Sequence, residues 1–304
     1  AASKFPVFRL NAITHRRYPV YPGTVVGRPP MEDKFLGDAT QQILGPLIRL
    51  MHPEIRSLWA YYEAGFHNLL VVEIEERYEK EAAKTAMSLM GEGQLSLTKC
   101  IVTVSGGVNP KDWNAVVQEI RDNFDPHYDF IMIPKVPLDT LDFTSYKMNL
   151  GSKMVIDATK KRRIKGREQG ATNMEHGIFE INSLRSKLFA VDRRIIELNL
   201  VNDCLLLVKV DTPFDPPSES SSLSNGRIIL EKLLLLPELK DLNIIAVVSS
   251  DVDIRDKESY IWGIFTRFDC ERDVIFTEQK LVGISPVYSG VMGIDATWKQ
   301  GYQK

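Results

Sequence analysis

Carboxylates, histidines and glycine-rich turns are the residue types that could do chemistry here, and their spacing decides what is open to them. His15, His52, His67, His127 and His176 fall in no HxxxH or HExxH pattern, so each reads as a surface or capping side chain rather than a metal ligand. Glu32 and Asp33 are adjacent acids in the distinctive run Gly27-Arg28-Pro29-Pro30-Met31-Glu32-Asp33. Adjacent residues need not face one site, and the pair reads as a helix-entry feature. Asp139, Asp142, Asp157 and Asp295 could move protons in isolation, yet their surroundings read as turns and packing. Ser105-Gly106-Gly107 follows an apolar run and precedes a helical one. Its backbone N–H groups either bind a phosphate or make a tight strand-to-helix turn, and the turn is the preferred reading. Arg267, in Thr266-Arg267-Phe268-Asp269, reads as a structural partner for a carboxylate or a helix C-terminus. The run Lys160-Lys161-Arg162-Arg163-Ile164-Lys165-Gly166-Arg167 could touch nucleic acid, a phosphate or another subunit. It has no interleaved aromatics and reads as a solvated linker.

The elements that must position these residues come from 304 residues, enough for one large or two ordinary domains, with 44% hydrophobic and 26% charged residues. A formal charge of −2 gives no bulk attraction to nucleic acid or acidic membranes. No run is apolar and long enough to span a bilayer. Cys100, Cys204 and Cys270 are odd in number and far apart, as expected of reduced thiols in a cytoplasmic protein. The chain opens on Ala1 and goes directly into the strand-like Pro6-Val7-Phe8-Arg9-Leu10, so it is expected to be a fragment of a longer polypeptide.

Residues 6–28 read as two strands, and Asp38 with Gln41 as the capping box of a helix in which Pro46 makes a kink or the true first turn. Leu69–Ile74, Cys100–Val104 and Asp129–Ile133 read as strands. Between them lie an Ala-rich helix over 79–90 and a helix capped by Asn109 with Pro110 at its first position. This is βαβ logic. The module occurs twice. A shift of 144 gives nine identities over residues 104–131, among them Ser105/Ser249, Asp112/Asp256, Asp125/Asp269 and Asp129/Asp273. About two are expected from composition. Ile156-Asp157-Ala158-Thr159 returns as Ile294-Asp295-Ala296-Thr297 at a shift of 138, so the loop before it is shorter in the second copy. Residues 211–226, with Pro213, Pro216, Pro217 and a serine cluster, read as an exposed loop.

The run Thr24–Thr40, with Gly27-Arg28-Pro29-Pro30 and Gly37, closely resembles the end of the flavin-holding domain of UbiD-family decarboxylases. The likeness continues in Thr98-Lys99, Pro137-Leu138-Asp139-Thr140-Leu141-Asp142-Phe143, Gly151-Ser152-Lys153-Met154, Ile156–Thr159, Trp262 and Thr266-Arg267-Phe268. The duplicated module is similar to the longer, menaquinone-pathway branch. The resemblance implies an α/β fold: remnant strands of a β-barrel flavin domain, then two similar βαβ-containing modules. The expected division is 1–30 for the truncated end of the flavin domain, 31–52 for a linker helix, 53–165 for the first module, 166–203 for a connection and 204–304 for the second module.

The resemblance also implies loss of CO2 from an aromatic carboxylate, expected to be a quinone precursor of menaquinone or ubiquinone synthesis, using prenylated FMN and a divalent metal such as Mn or Mg. Catalytic and metal-binding residues are expected upstream of Phe5, with none in this chain, which alone should be inactive and hold neither flavin nor metal. What carries over is pocket wall: Phe35 and Leu36 before Gly37, and Val136 and Leu138 flanking Pro137. Expected partners are the aromatic acid, a flavin prenyltransferase as cofactor supplier and further copies of the chain in a homodimer or larger assembly, with no nucleic acid and no membrane span. The competing expectation is a non-catalytic assembly module of a degenerate UbiD-like protein.

Overall fold

Strict two-residue alternation in the strands sorts this chain into layers. In the computed structural model, which describes residues 6–23, 27–145, 147–161, 181–212 and 223–299, two five-stranded mixed sheets form. The first contains β1 (Ile55–Ala60), β2 (Leu70–Ile74), β3 (Cys100–Ser105), β4 (Phe130–Val136) and β5 (Gly151–Asp157), in the order β1-β2-β3-β5-β4. The second contains β6 (Ile195–Val201), β7 (Leu205–Val210), β8 (Ile244–Ser249), β9 (Val274–Val282) and β10 (Ser285–Ala296), in the same order, β6-β7-β8-β10-β9. In each, the three central strands are parallel and both edge strands antiparallel.

Alternate residues of each central strand serve different cores. Cys100, Val102, Val104, Met154 and Ile156 face inward with Leu205, Leu207, Ile244, Ala246 and Val248 of the second sheet. Between the sheets lie α3 (Trp113–Asn123) and α7 (Lys257–Phe265), so one apolar core belongs to both modules. The opposite faces are covered by α2 (Glu81–Leu89) on the first sheet and α6 (Asn225–Leu234) on the second. The order is helix, sheet, helices, sheet, helix. Among the described residues, no helix is long and apolar enough to cross a membrane.

The polar repeat identities fall where elements end or begin. Asp112 and Asp256 cap α3 and α7 by accepting from backbone N–H groups. Asp125 and Asp269 do the same for the one-turn helices α4 (Pro126–Asp129) and α8 (Cys270–Asp273). Ser105 and Ser249 hydroxyls accept from the N–H of Lys160 and Trp298 at 2.9 and 2.7 Å. Lys161 and Lys299 each reach two buried carboxylates, Asp129 with Asp157 and Asp273 with Asp295.

Several boundaries differ from expectation. Residues 6–23 form no strand; Val7 and Phe8 are exposed, and nothing in the described chain pairs their backbone. The first helix, α1 (Asp33–Met51), starts five residues before the expected cap and runs through Pro46. Asp38 and Gln41 therefore lie inside it. Gln41 instead mimics a neighbouring strand, accepting from Ala60 N at 2.6 Å and donating to Ala60 O at 3.2 Å. Asp112, not Asn109, caps α3, while Asn109 closes the preceding turn on Lys111 N. The second sheet begins at Ile195, within the stretch read as connection, and is preceded by α5 (Ile181–Val191). The basic run beyond Lys161 and the loop over 213–222 lie outside the described residues.

The main divergence between the copies is the link between their last two strands. Residues 137–150 make a long loop between β4 and β5, whereas Gly283 and Ile284 alone join β9 to β10. Gly283 has φ +65°, the left-handed value that favours glycine.

Candidate functional site

The four expected wall residues lie in two places. Phe35 and Leu36 stand exposed in the first turn of α1. Val136 ends β4, half-buried, and Leu138 is buried in the following loop, packed so closely over Gly151 that an added Cβ would strike it. What joins the two places is the short link Phe66-His67 before β2. The Phe66 ring lies over Gly37, where a Cβ would collide with it, and Phe66 is held at φ +59°. His67 Nδ1 bonds Asp139 Oδ2 in the 137–150 loop. Thus the chain Gly37, Phe66, His67, Asp139 and Leu138 runs through contact or covalent neighbours from one wall pair to the other.

The backbone holds this link rigidly. Phe66 N donates to Tyr61 O at 2.9 Å, and His67 O accepts from Lys99 N at 2.7 Å. A bulky residue in the left-handed region needs such over-determination. Asp139 also accepts from Leu141 N at 3.0 Å, an Asx turn that shapes the loop. The hydrogen bond from His67 holds the Asp139 carboxyl below its usual range against the opposing effect of burial.

Further contacts seat the Gly27–Asp33 run against the second module. Arg28 donates to Ser259 Oγ in α7. Lys34 Nζ lies 4.4 Å from the centre of the Tyr62 ring, and Tyr62 donates to Glu258 of α7 at 2.9 Å. Burial, then the Glu258 bond, pushes the Tyr62 phenol up. Below the loop, Lys99 is fully buried; it pairs with Asp142 at 3.0 Å and donates to Phe268 O across the module seam at 3.0 Å. Ser152 bonds Asp269 at 2.9 Å across the same seam.

The other candidates resolve as structure. Asp142, Asp157 and Asp295 accept from the N–H two residues on, at 2.9, 3.1 and 3.1 Å, as turn formers. A cavity of about 460 Å³ opens at the carboxyl ends of β2, β3 and β5, beside Ser105-Gly106-Gly107. Its anion place is already filled: Gly107 N donates to Glu73 at 2.8 Å, and Ser105 donates to Glu119 at 2.7 Å. Its wall carries Glu73, Glu75 and Glu76 against Arg56 and Lys160, and the two cations pair with Glu75 and Glu119. At the corresponding end of the second sheet, buried Arg267 grips Asp251 with two bonds of 2.8 and 2.6 Å and lies 4.3 Å over the Trp298 ring. Arg267 is thus the structural cation expected. Among the described residues no group of three or more His, Cys, Asp or Glu is gathered to hold a metal.

The sequence matches the family described as 3-octaprenyl-4-hydroxybenzoate carboxy-lyase C-terminal domain over residues 34–158 and 199–296, and the chain belongs to that UbiD family. A Chlamydia pneumoniae protein, named as one subunit of a 4-hydroxybenzoate decarboxylase, is 30% identical over 303 residues, 99% of this chain and 46% of that protein. An uncharacterized Archaeoglobus fulgidus protein is 47% identical over 165 residues, 54% of this chain and 34% of its own length. The chain therefore spans less than half the length of these relatives. Among solved structures, the UbiD-class enzyme HmfF from Pelotomaculum thermopropionicum in complex with FMN matches at a TM-score of 0.40 and 20% identity, over 48% of this chain and 32% of that one.

Sequence reasoning passed over Phe66 and read His67 as a surface or capping side chain, whereas it bonds Asp139. His67 meets its partner 72 residues away, so no local spacing marks it. The one available signal was Asp139 within the quoted Pro137–Phe143 motif, an acid next to an expected wall residue.

Proposed function

We propose that this chain is the part of a prenylated-FMN decarboxylase that walls the substrate pocket, and that the whole protein removes CO2 from an aromatic carboxylate, a quinone precursor. The observation that carries the reading is the continuous contact path from Gly37 through Phe66, His67 and Asp139 to Leu138, which ties both expected wall pairs to one rigid link. Membership of the carboxy-lyase family and the name of the Chlamydia pneumoniae relative support the reaction class.

When bound, the flavin supplies the electron sink for the departing carboxylate. Phe35, Leu36, Val136 and Leu138 accept the aromatic ring and exclude water. The flavin and its divalent metal are held by the part of the longer protein that this chain does not include, so the chain alone is inactive. A flavin prenyltransferase supplies the cofactor, and three unpaired buried thiols accord with a cytoplasmic setting. The active form is a homodimer or larger assembly. One observation favours an assembly role in its own right: α1 leaves Ile43, Leu44, Leu47, Leu50 and Met51 exposed.

The test is CO2 release from a panel of aromatic and quinone-precursor acids by the long protein, co-produced with a flavin prenyltransferase, with this 304-residue chain as control. Turnover by the long protein alone is the expected outcome. Neither turnover nor bound flavin in the long protein would overturn the decarboxylase reading and leave the assembly role.

A further inference from the structure

We propose that β9 is a docking edge for a second copy of this chain: the two β9 strands pair antiparallel about a two-fold axis at Gln279, with Glu278 of each copy opposite Lys280 of the other. This rests on the homodimer put forward above and names its contact. It does not depend on which acid is decarboxylated.

The four sheet edges are not finished alike. An edge strand offers a row of unpaired N–H and C=O groups, which proteins blunt with bulges, prolines or covering groups. β1, β4 and β6 are all blunted. In each, the pairing with the inner neighbour slips by one residue, and the extra residue falls in the edge strand: between Ile55 and Ser57, between Ile133 and Val136, and between Ile195 and Glu197. β4 adds Pro134, which has no N–H, and Lys135 at φ +59°. Gln41 occupies both N and O of Ala60 on β1, and Arg185 donates to Leu198 O on β6 at 3.0 Å. β9 differs. Its slip puts the extra residue in the inner strand β10, between Ser289 and Met292, where Gly290 takes φ +78°. β9 itself runs from Val274 to Val282 without proline or positive φ. Among the described residues no strand lies beyond it in the sheet, and residues 277–286 are all exposed.

This edge also outruns its own sheet. β8 pairs β10 only over Met292–Ala296, whereas β9 pairs β10 from Ser285 onward. Residues 278–282 and 285–289 are therefore a two-stranded ribbon, which is marginal in water without a third strand. Pro286 interrupts the far edge of the ribbon, so β9 is the side left to pair. A second ribbon laid along β9 supplies the missing strand to both copies.

The side chains specify what fits. Glu278 and Lys280 are two residues apart and share a face. In a two-fold antiparallel pair, the residue on the axis sets every other partner. Centred on Glu278, glutamate meets glutamate; centred on Lys280, lysine meets lysine. Centred on Gln279, two Glu278–Lys280 pairs form and Leu281 meets Thr277. Opposite charges facing across strands stabilise and like charges destabilise, so the strand is complementary to itself in one register. Lysine on an edge ordinarily deters pairing, but here it meets a glutamate.

Sedimentation velocity of the 304-residue chain over a concentration series tests the proposal. The unaltered chain is expected to dimerise. Lys280→Glu and Glu278→Lys each set like charges opposite one another twice, and each is expected to weaken the dimer about 10-fold. The double variant, and an equimolar mixture of the two single variants, restore opposite charges and are expected to recover it. Circular dichroism checks that these exposed substitutions leave the fold intact. Gln279→Cys is expected to give a disulfide-linked dimer under mild oxidation, because facing residues bring their Cβ atoms to about 4.5–5.5 Å. Leu281→Cys, which faces Thr277, is not. A monomer at every concentration would overturn the proposal. So would a dimer indifferent to the charge variants, although the homodimer reading would then stand on another face. Linkage through Leu281→Cys as ready as through Gln279→Cys would overturn the two-fold at Gln279.

Discussion

Glu54 shows how much one buried carboxylate can carry. It is 2% exposed and accepts from Lys84 at 2.8 Å and Thr85 at 2.5 Å, with Arg77 near its other oxygen. Burial alone would raise its pKa, but the bonds from Lys84 and Thr85 outweigh it and hold the value at about 2, below the usual 4.5. A depressed folded-state pKa means that this stabilisation is complete above about 4.5 and is lost as pH falls toward 2. Glu54→Gln is expected to cost roughly 2 kcal/mol at pH 7, with the gap from the unaltered chain closing over that acid window in urea titrations. The cysteines make a second residue-scale case. Burial pushes the Cys100 thiol up to about 12, against the pull of Lys99, and raises Cys204 and Cys270 as well. Ellman's reagent at pH 8 is expected to find no reactive thiol in the folded chain and all three in guanidinium; early reaction of any one would reveal local opening.

At the scale of elements, strands buried on both faces were legible because their apolar runs are nearly continuous, as in Cys100–Val104. Helix starts were not, because several residues in a row could cap. Asn109 and Asp112 are both good N-cap types, and only the path of the chain after Pro110 selects Asp112. Asp112→Ala and Asp256→Ala are each expected to cost about 1 kcal/mol, and Asn109→Ala clearly less, as read by thermal unfolding. If Asn109→Ala cost as much as Asp112→Ala, the cap assignment would be wrong. Residues 6–23, within the stretch read as two strands, form none, for the opposite reason. Their alternation is real, but period alone does not supply a partner with which to share hydrogen bonds. The wall residues were readable from a motif, whereas the Phe66-His67 link that joins them depends on contacts between distant segments.

For the molecule as a whole, the two modules share one core and are pinned by charge. Lys99, with no exposed side-chain surface, holds Asp142 in its own module and the Phe268 carbonyl in the other. Lys99→Met removes the cation and leaves a buried carboxylate, and is expected to cost about 3–5 kcal/mol in urea unfolding. Adding Asp142→Asn should recover part of that loss. A cost below about 1 kcal/mol in the single variant would mean that the seam relaxes to admit water. The repeat itself has a practical consequence. Asp157-Ala158-Thr159 with Lys161 and Asp295-Ala296-Thr297 with Lys299 are two renderings of one motif, turned alike and paired alike. One edge carries the neighbouring long loop and the other a two-residue turn. Any substitution made in one rendering thus has its matched control in the same polypeptide, in the same tube and at the same concentration. The difference between the two measures what context adds to identical chemistry.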